Sequence, residues 1–381
     1  MIYLDNAATS WPKPFAVIEA VNRALSVYGA NPGRGGYKMS VDASVAVFRV
    51  REQVNAFFDG YGPENVCFTQ NCTQSLNTVI CGFVRTGDHV VISALEHNAV
   101  ARPVHALAKS GIITYDVFPV YSDTGKTVAA FEQALQSQTT LAVVTAVSNV
   151  FGTVLPLKEL AAAAHRHKVA FCVDGAQAAG VQPLKMRQTG IDFLCVPGHK
   201  GLLGPMGTGV LLTGKYPLEP LLYGGTGTGS LSLDQPAVMP EMLESGTLNV
   251  PGIIGLGKGI ETVSEMGEKT AYDAEIALCR ELCEGLRTIP GVTVYGHEPG
   301  AQQAPPVSFN VKGRHSEDVA SALADGGIAV RGGYHCAALA HRFARTTETG
   351  TVRVSPSFAN SRADINKLLK LVEKIAFYKN L

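Results

Sequence analysis

The chain has no excess of either charge: 32 basic residues are matched by 32 acidic ones, and charged residues make up only 17% of it. That balance removes the electrostatic case for nucleic acid or an anionic membrane surface as a partner. No uncharged apolar run reaches the length of a membrane span, and Met1-Ile-Tyr-Leu-Asp-Asn begins as a strand-like segment, not as a signal peptide. Internal repeats and low-complexity linkers are absent. The eight cysteines, Cys67, Cys72, Cys81, Cys172, Cys195, Cys279, Cys283 and Cys336, form no paired framework; several sit in strand-like segments, where a free thiol is a small hydrophobe. A reducing cytoplasm is the expected compartment. Cys279 and Cys283 lie four apart on an expected helix with no further ligand pair at zinc spacing, so they read as packing residues and no metal is expected.

With 381 residues, 46% of them apolar, the chain can bury a large core in one large domain with a smaller one attached. Apolar residues at three- and four-residue spacing from Ser40 to Phe58 mark a helix, with Ser40 expected as its cap. Strands are expected at 65–69, 89–93, 112–118, 141–147, 169–174, 193–196 and 209–213, several with helices between them. This is the pattern of an α/β fold whose mostly parallel sheet is covered on both faces. A glycine-threonine stretch from Tyr223 to Ser230 breaks the rhythm, and helices from Pro251 to Arg287 lead into a smaller α+β region.

The chemistry concentrates at Lys200. It follows an apolar strand and precedes a glycine-rich turn in Val196-Pro-Gly-His-Lys-Gly-Leu-Leu-Gly. A lysine desolvated there has a lowered pKa and can form a Schiff base, although strand lysines are more often surface or edge residues. Upstream, Val169-Ala-Phe-Cys-Val-Asp174 is a buried-type strand ending in a carboxylate, where ligands of open parallel sheets sit. Asp174 alone reads better as a cap for the following turn. Paired with Lys200, it supplies the partner for a protonated pyridine nitrogen, and pyridoxal 5'-phosphate needs both groups.

Five further motifs complete the series: Tyr3-Leu-Asp-Asn-Ala-Ala-Thr9, Leu95-Glu-His-Asn98, Ala146-Val-Ser-Asn-Val-Phe-Gly-Thr153, Val330-Arg-Gly-Gly-Tyr-His-Cys-Ala337 and Gly350-Thr-Val-Arg-Val-Ser355. In this order and spacing the chain resembles the class V, fold type I pyridoxal-phosphate enzymes, and within them the cysteine desulfurases and selenocysteine lyases of group II form. The resemblance implies a fold type I architecture: 1–15 joining the small domain, 16–257 binding the cofactor, and 258–381 forming the small domain with a cysteine loop.

It also implies roles. Lys200 would carry the cofactor and Asp174 meet its ring nitrogen, while His97 would stack on the ring and move a proton. Gln177 would bond the phenolic oxygen, with Asn149 beside it or beside the substrate carboxylate. The helix start at Cys72 and Thr73, together with His199, would hold the phosphate on unpaired amides and the helix dipole, although an ordinary polar helix start accounts for the same residues. Pro197 stands where the family has a serine, and so one phosphate contact is missing. Gly225 and Thr247 would come from the partner subunit of a homodimer with shared active sites. Arg353 would hold the substrate carboxylate bidentately, with Arg331 and Arg34 beside it; a solvated strand arginine fits the Arg353 pattern as well. Cys336 decides the reaction. In a mobile, glycine-flanked loop near Arg331 and His335, its thiolate would take sulfur from L-cysteine and become a persulfide, which a sulfur-acceptor protein could relieve. The expected activity is cysteine desulfurase; the alternatives are a selenocysteine lyase, another class V aminotransferase-type reaction, or a non-catalytic cofactor-binding scaffold.

Overall fold

The computed structural model describes residues 1–33, 35–297 and 302–377. Strand β1 (Ile2–Tyr3) opens the chain and is followed by helices α1 (Phe15–Val27) and α2 (Lys38–Phe57). Alternation then sets in: β2 (Val66–Thr69), α3 (Cys72–Phe83), β3 (His89–Ser93), α4 (Asn98–Lys109), β4 (Thr114–Phe118), α5 (Thr124–Ala134), β5 (Thr139–Thr145), α6 (Leu157–Arg166) and β6 (Ala170–Asp174). A single helical turn, α7 (Met186–Thr189), leads to β7 (Phe193–Pro197) and β8 (Gly209–Thr213).

These strands form one seven-stranded sheet in the order β2-β8-β7-β6-β5-β3-β4. Only β8 runs against its neighbours; β7, β6, β5, β3 and β4 are mutually parallel. The physical reason is burial. Every residue of β3, β6, β7 and β8 is buried, which suits strands covered by helices on both faces. One face packs Val91, Val144, Phe171 and Leu194 toward α2, α6 and α8 (Val250–Met266), while the other packs Ile92, Val143 and Phe193 toward α3 and α4.

Helix α8 spans the expected junction at 257/258. Beyond it, α9 (Glu268–Thr288), β9 (Val292–Tyr295), β10 (Val307–Val311), α10 (Ser316–Asp325), β11 (Ile328–Ala329), α11 (Ala338–Phe343), β12 (Val352–Val354) and α12 (Arg362–Phe377) complete the chain. Strands β12-β10-β9 form a small antiparallel sheet, and β1 pairs in parallel with β11. A second core gathers Leu4, Cys279, Cys283, Phe309, Val352 and Leu368. Both helix cysteines are thus packing residues. Among the described residues, no helix is long and apolar enough to cross a membrane.

One expectation is corrected. Ser40 does not cap α2, which begins at Lys38 after Tyr37 with no side-chain cap. Ser40 is instead fully buried in the first turn, donating to Asn31 O at 2.8 Å and accepting from Gly35 N at 3.1 Å. The hydroxyl braces the incoming chain. Spacing alone cannot tell that use from a cap.

Candidate active site

Parallel strands deliver their carboxyl ends to one edge of the sheet, and the expected residues collect there. Asp174 is the last residue of β6, Lys200 follows β7, His97 follows β3 and Asn149 follows β5. Asp174 is 2% exposed; its Oδ1 accepts from Ala176 N at 2.9 Å and from Cys72 Sγ at 3.5 Å. Burial, then the Asp174 charge, holds the Cys72 thiol well above its usual pKa, so it remains a donor to the carboxylate. Desolvation lowers the Lys200 amine, opposed by Asp174. A lowered amine pKa favours the nucleophilic free base, and Lys200 lines the same cavity as Asp174.

The Asp174 and Lys200 loops meet through two glycines. A Cβ on Gly180 would lie 2.2 Å from Gly201 O, and one on Gly201 would lie 2.3 Å from Ala179 O. Only glycines let the two backbones come this close.

His97 caps α4, accepting from Ala99 N through Nδ1 at 3.0 Å. Desolvation drops its pKa to about 4, so the ring is neutral near pH 7. Beneath it lies Glu96, fully buried, whose carboxyl accepts from Thr145 N at 2.8 Å and is pushed up to about 8 by burial. At the N-terminus of α3, Asn71 caps by accepting from Gln74 N at 2.9 Å, and Cys72 and Thr73 line the cavity just inside that turn. His199 faces the same space.

The N-terminal segment forms a wall that was not foreseen. His199 Nδ1 meets Thr9 Oγ1 at 3.1 Å, and His199 O accepts from Ser10 N at 3.1 Å and from Lys13 Nζ at 2.7 Å. Gln177 donates through Nε2 to Ala7 O at 3.0 Å, and Ala7 and Ala8 line the cavity. Burial also pulls the Lys13 amine down to about 8.

On the opposite side stands Arg353, only 1% exposed and therefore not a solvated strand arginine. Its Nη2 pairs with Asp5 Oδ1 at 2.6 Å and its Nη1 donates to Asn149 O at 3.2 Å. Asn149 turns its amide the other way, donating from Nδ2 to His335 O at 2.7 Å. The Cys336 carbonyl accepts from Asn98 N at 2.7 Å. The expected mobile loop is therefore fastened at two successive carbonyls, with His335 and Cys336 both left-handed at φ 49° and 55°. Cys336 is exposed and lies outside the cavity wall, its Sγ 3.9 Å from Arg331 Nη2. Arg331 itself lines the cavity and is registered against Arg353 by a backbone bridge.

The cavity, open to solvent on one side, holds about 250 Å³ and is lined by Lys200, Asp174, Gln177, His97, His199, Cys72, Thr73, Asn149, Arg331, His335 and Arg353. Three buried polar atoms on that wall lack partners: Asn149 Oδ1, His335 Nδ1 and Arg353 Nε. An orphaned buried donor or acceptor is costly, so this set, one donor on Arg353 and acceptors on Asn149 and His335, suits a polar ligand that both accepts and donates. The donor set fits pyridoxal 5'-phosphate: an amine for its carbonyl, a carboxylate for its ring nitrogen, and a helix N-terminus for its phosphate. A larger cavity of about 560 Å³ beside Phe151, Tyr295 and Phe343 has no charged side chain among the described residues of its wall.

Gly225 and Thr247 are exposed and away from this cavity, with Gly225 O accepting from Gly246 N at 2.9 Å and Thr247 within 3.5 Å of Asn31 Nδ2. Arg34 lies outside the described residues. Sequence reasoning missed Asp5, Thr9 and Glu96. Each was visible within a quoted motif, but nothing in the chain order tied the first two to Arg353 and His199.

The family model for aminotransferase class-V matches residues 2–368. A probable cysteine desulfurase of Methanothermobacter thermautotrophicus is 35% identical, over 98% of this chain and 94% of its own. A cysteine desulfurase of Klebsiella pneumoniae is 34% identical, over 98% of this chain and 93% of its own. Among solved structures, an apo cysteine desulfurase from Thermococcus onnurineus superposes with a TM-score of 0.92 at 33% identity, covering 98% of this chain and 94% of that one. Matches of this extent show the family: the chain belongs to the class-V aminotransferase family of fold type I pyridoxal-phosphate enzymes.

Proposed function

We propose that the protein is a pyridoxal-phosphate-dependent cysteine desulfurase, converting L-cysteine to L-alanine with the sulfur passing to Cys336. The observation that carries this reading is the convergence of Lys200, Asp174 and Arg353 on one cavity, with an exposed cysteine 3.9 Å from Arg331 at its margin. Full-length relatives named cysteine desulfurase support it.

When bound, the cofactor supplies an electrophilic carbonyl and an electron-withdrawing ring. The chain supplies the rest. Lys200 offers a desolvated amine to carry that carbonyl, and Asp174, fixed by Ala176 N and Cys72 Sγ, offers negative charge to the ring nitrogen. Neutral His97 is able to take up a proton above the site. Arg353 and Arg331 hold the substrate carboxylate, the former through a fork that lysine lacks. Cys336, as thiolate, attacks the sulfur of the bound cysteine: a sulfur–sulfur bond forms, the carbon–sulfur bond breaks, and its electron pair stays with carbon, which takes a proton to become alanine. The persulfide then awaits a thiol acceptor, a small thiol or a second protein.

The same reading includes a homodimer in the cytoplasm. Met39, Val41, Val45 and Phe48 on α2 are exposed, as are Leu231 and Leu233, an apolar surface that suits a second copy. Gly225 and Thr247, exposed off the cavity of their own chain, would then serve the neighbouring site. The test is incubation of purified protein with L-cysteine and, separately, L-selenocysteine, quantifying alanine, sulfide and selenide. Alanine with a persulfide on the Cys336 peptide is expected from cysteine. Turnover of selenocysteine alone would establish a lyase instead, and no alanine from either would leave a scaffold.

A further inference from the structure

Arg353 is a charge buried to within 1% of full enclosure, and a buried guanidinium requires a countercharge and fixed hydrogen-bond partners. The countercharge comes from the far end of the chain and a carbonyl from its middle. Asp5 lies 2.6 Å from Nη2, while Asn149 O takes Nη1 at 3.2 Å. Asp5 is itself held in register: it bridges to Ser355, two residues beyond Arg353, and its carbonyl accepts from the Tyr3 hydroxyl at 3.1 Å. Arg353 lines the cavity but Asp5 does not. The carboxylate therefore approaches the guanidinium from behind, and Nε is left without a partner.

Resting on the reading that Arg353 binds the substrate carboxylate, we infer that Asp5 is the positioning residue that presets Arg353 for it. Asp5 offsets part of the charge that Arg331 and Arg353 bring together, and fixes the plane of the guanidinium before substrate arrives. Without it, the arginine must be oriented by the substrate itself, at the expense of binding. Recognition of an α-carboxylate thus depends on a residue 348 positions away that does not touch the cavity.

The test compares Asp5→Ala, Asp5→Asn and Arg353→Ala as holoenzymes, with KM and kcat for L-cysteine, the inhibition constant of L-alanine, and cofactor affinity by absorbance titration. Asp5→Ala is expected to raise KM and the alanine constant about tenfold, the size of a lost charge-assisted bond, with kcat within about threefold and cofactor affinity unchanged. Asp5→Asn keeps an acceptor for Nη2 and is expected to fall between, near threefold. If Asp5→Ala is insoluble, the asparagine variant carries the test. Unchanged KM in the soluble Asp5 variants, or a fall in kcat and cofactor affinity that accompanies the rise in KM, overturns the inference. Unchanged KM in Arg353→Ala overturns the underlying reading instead.

Discussion

A methyl group placed on Gly201 would meet Ala179 O at 2.3 Å and Val181 Cγ2 at 3.1 Å, against an ordinary contact of 3.4 Å or more. That oxygen is backbone, in the loop that follows Asp174, and cannot rotate away. One of the two loops must move by about 1 Å, and either movement shifts Lys200, adjacent to Gly201, relative to Asp174. Overpacking of this kind costs about 1–3 kcal/mol in stability. A misplacement of about 1 Å at a reacting group costs on the order of 100-fold in rate. Gly201→Ala is therefore expected to lower kcat/KM for L-cysteine by roughly that factor, to weaken cofactor binding, and to lower the unfolding midpoint. Gly29→Ala, where nothing lies within 4 Å of the added carbon, serves as the neutral control. Steady-state kinetics, absorbance titration and thermal unfolding supply the readouts. Wild-type kcat/KM and cofactor affinity in Gly201→Ala would refute the claim that the glycine contact sets the position of Lys200.

Lys200→Ala is expected to abolish the visible absorbance of bound cofactor, and borohydride reduction of the wild type should label the Lys200 peptide; label on another lysine would reject the assignment. Cys336→Ala should lose desulfurase turnover by about 100-fold or more while selenocysteine turnover survives much better, since a nucleophile needed only for sulfur has been removed. Mass spectrometry showing the extra sulfur on Cys72 or Cys195 would redirect the pathway. Glu275 is buried, accepts from Phe358 N at 3.2 Å, and burial raises its pKa to about 8. Its folded pKa exceeds the unfolded value, so its contribution is fully present below about pH 4.5 and is lost as pH rises through 8. Glu275→Gln should flatten that decline, stabilising the fold by several kcal/mol at pH 8 and little at pH 4.5; equal effects at both pH values in denaturant titrations would refute it.

Local order made much of this protein legible. A buried strand followed by a glycine turn singled out Lys200 only once it was paired with Asp174 at the end of another strand, because parallel strands present their carboxyl ends to a ligand. The strands of the large sheet were readable because residues buried on both faces must be apolar. Ser40 was misread for the converse reason: a hydroxyl at a helix start satisfies either the helix or its neighbour, and only the neighbour's position decides.

The tertiary structure decided what distant segments do to one another. Asp5 and Arg353 are 348 residues apart, and Thr9 and His199 are 190 apart, so no periodicity relates them. Asn149, expected near the cofactor's oxygen or the substrate, also fastens the Cys336 loop through His335 O, a bond set by packing of the small sheet against the large one. Glu96 shows the same limit within a single motif. Its neighbours were written beside it, but its neutral, buried state follows from enclosure beneath β5, and desolvation is a property of three-dimensional surroundings that a linear chain does not specify.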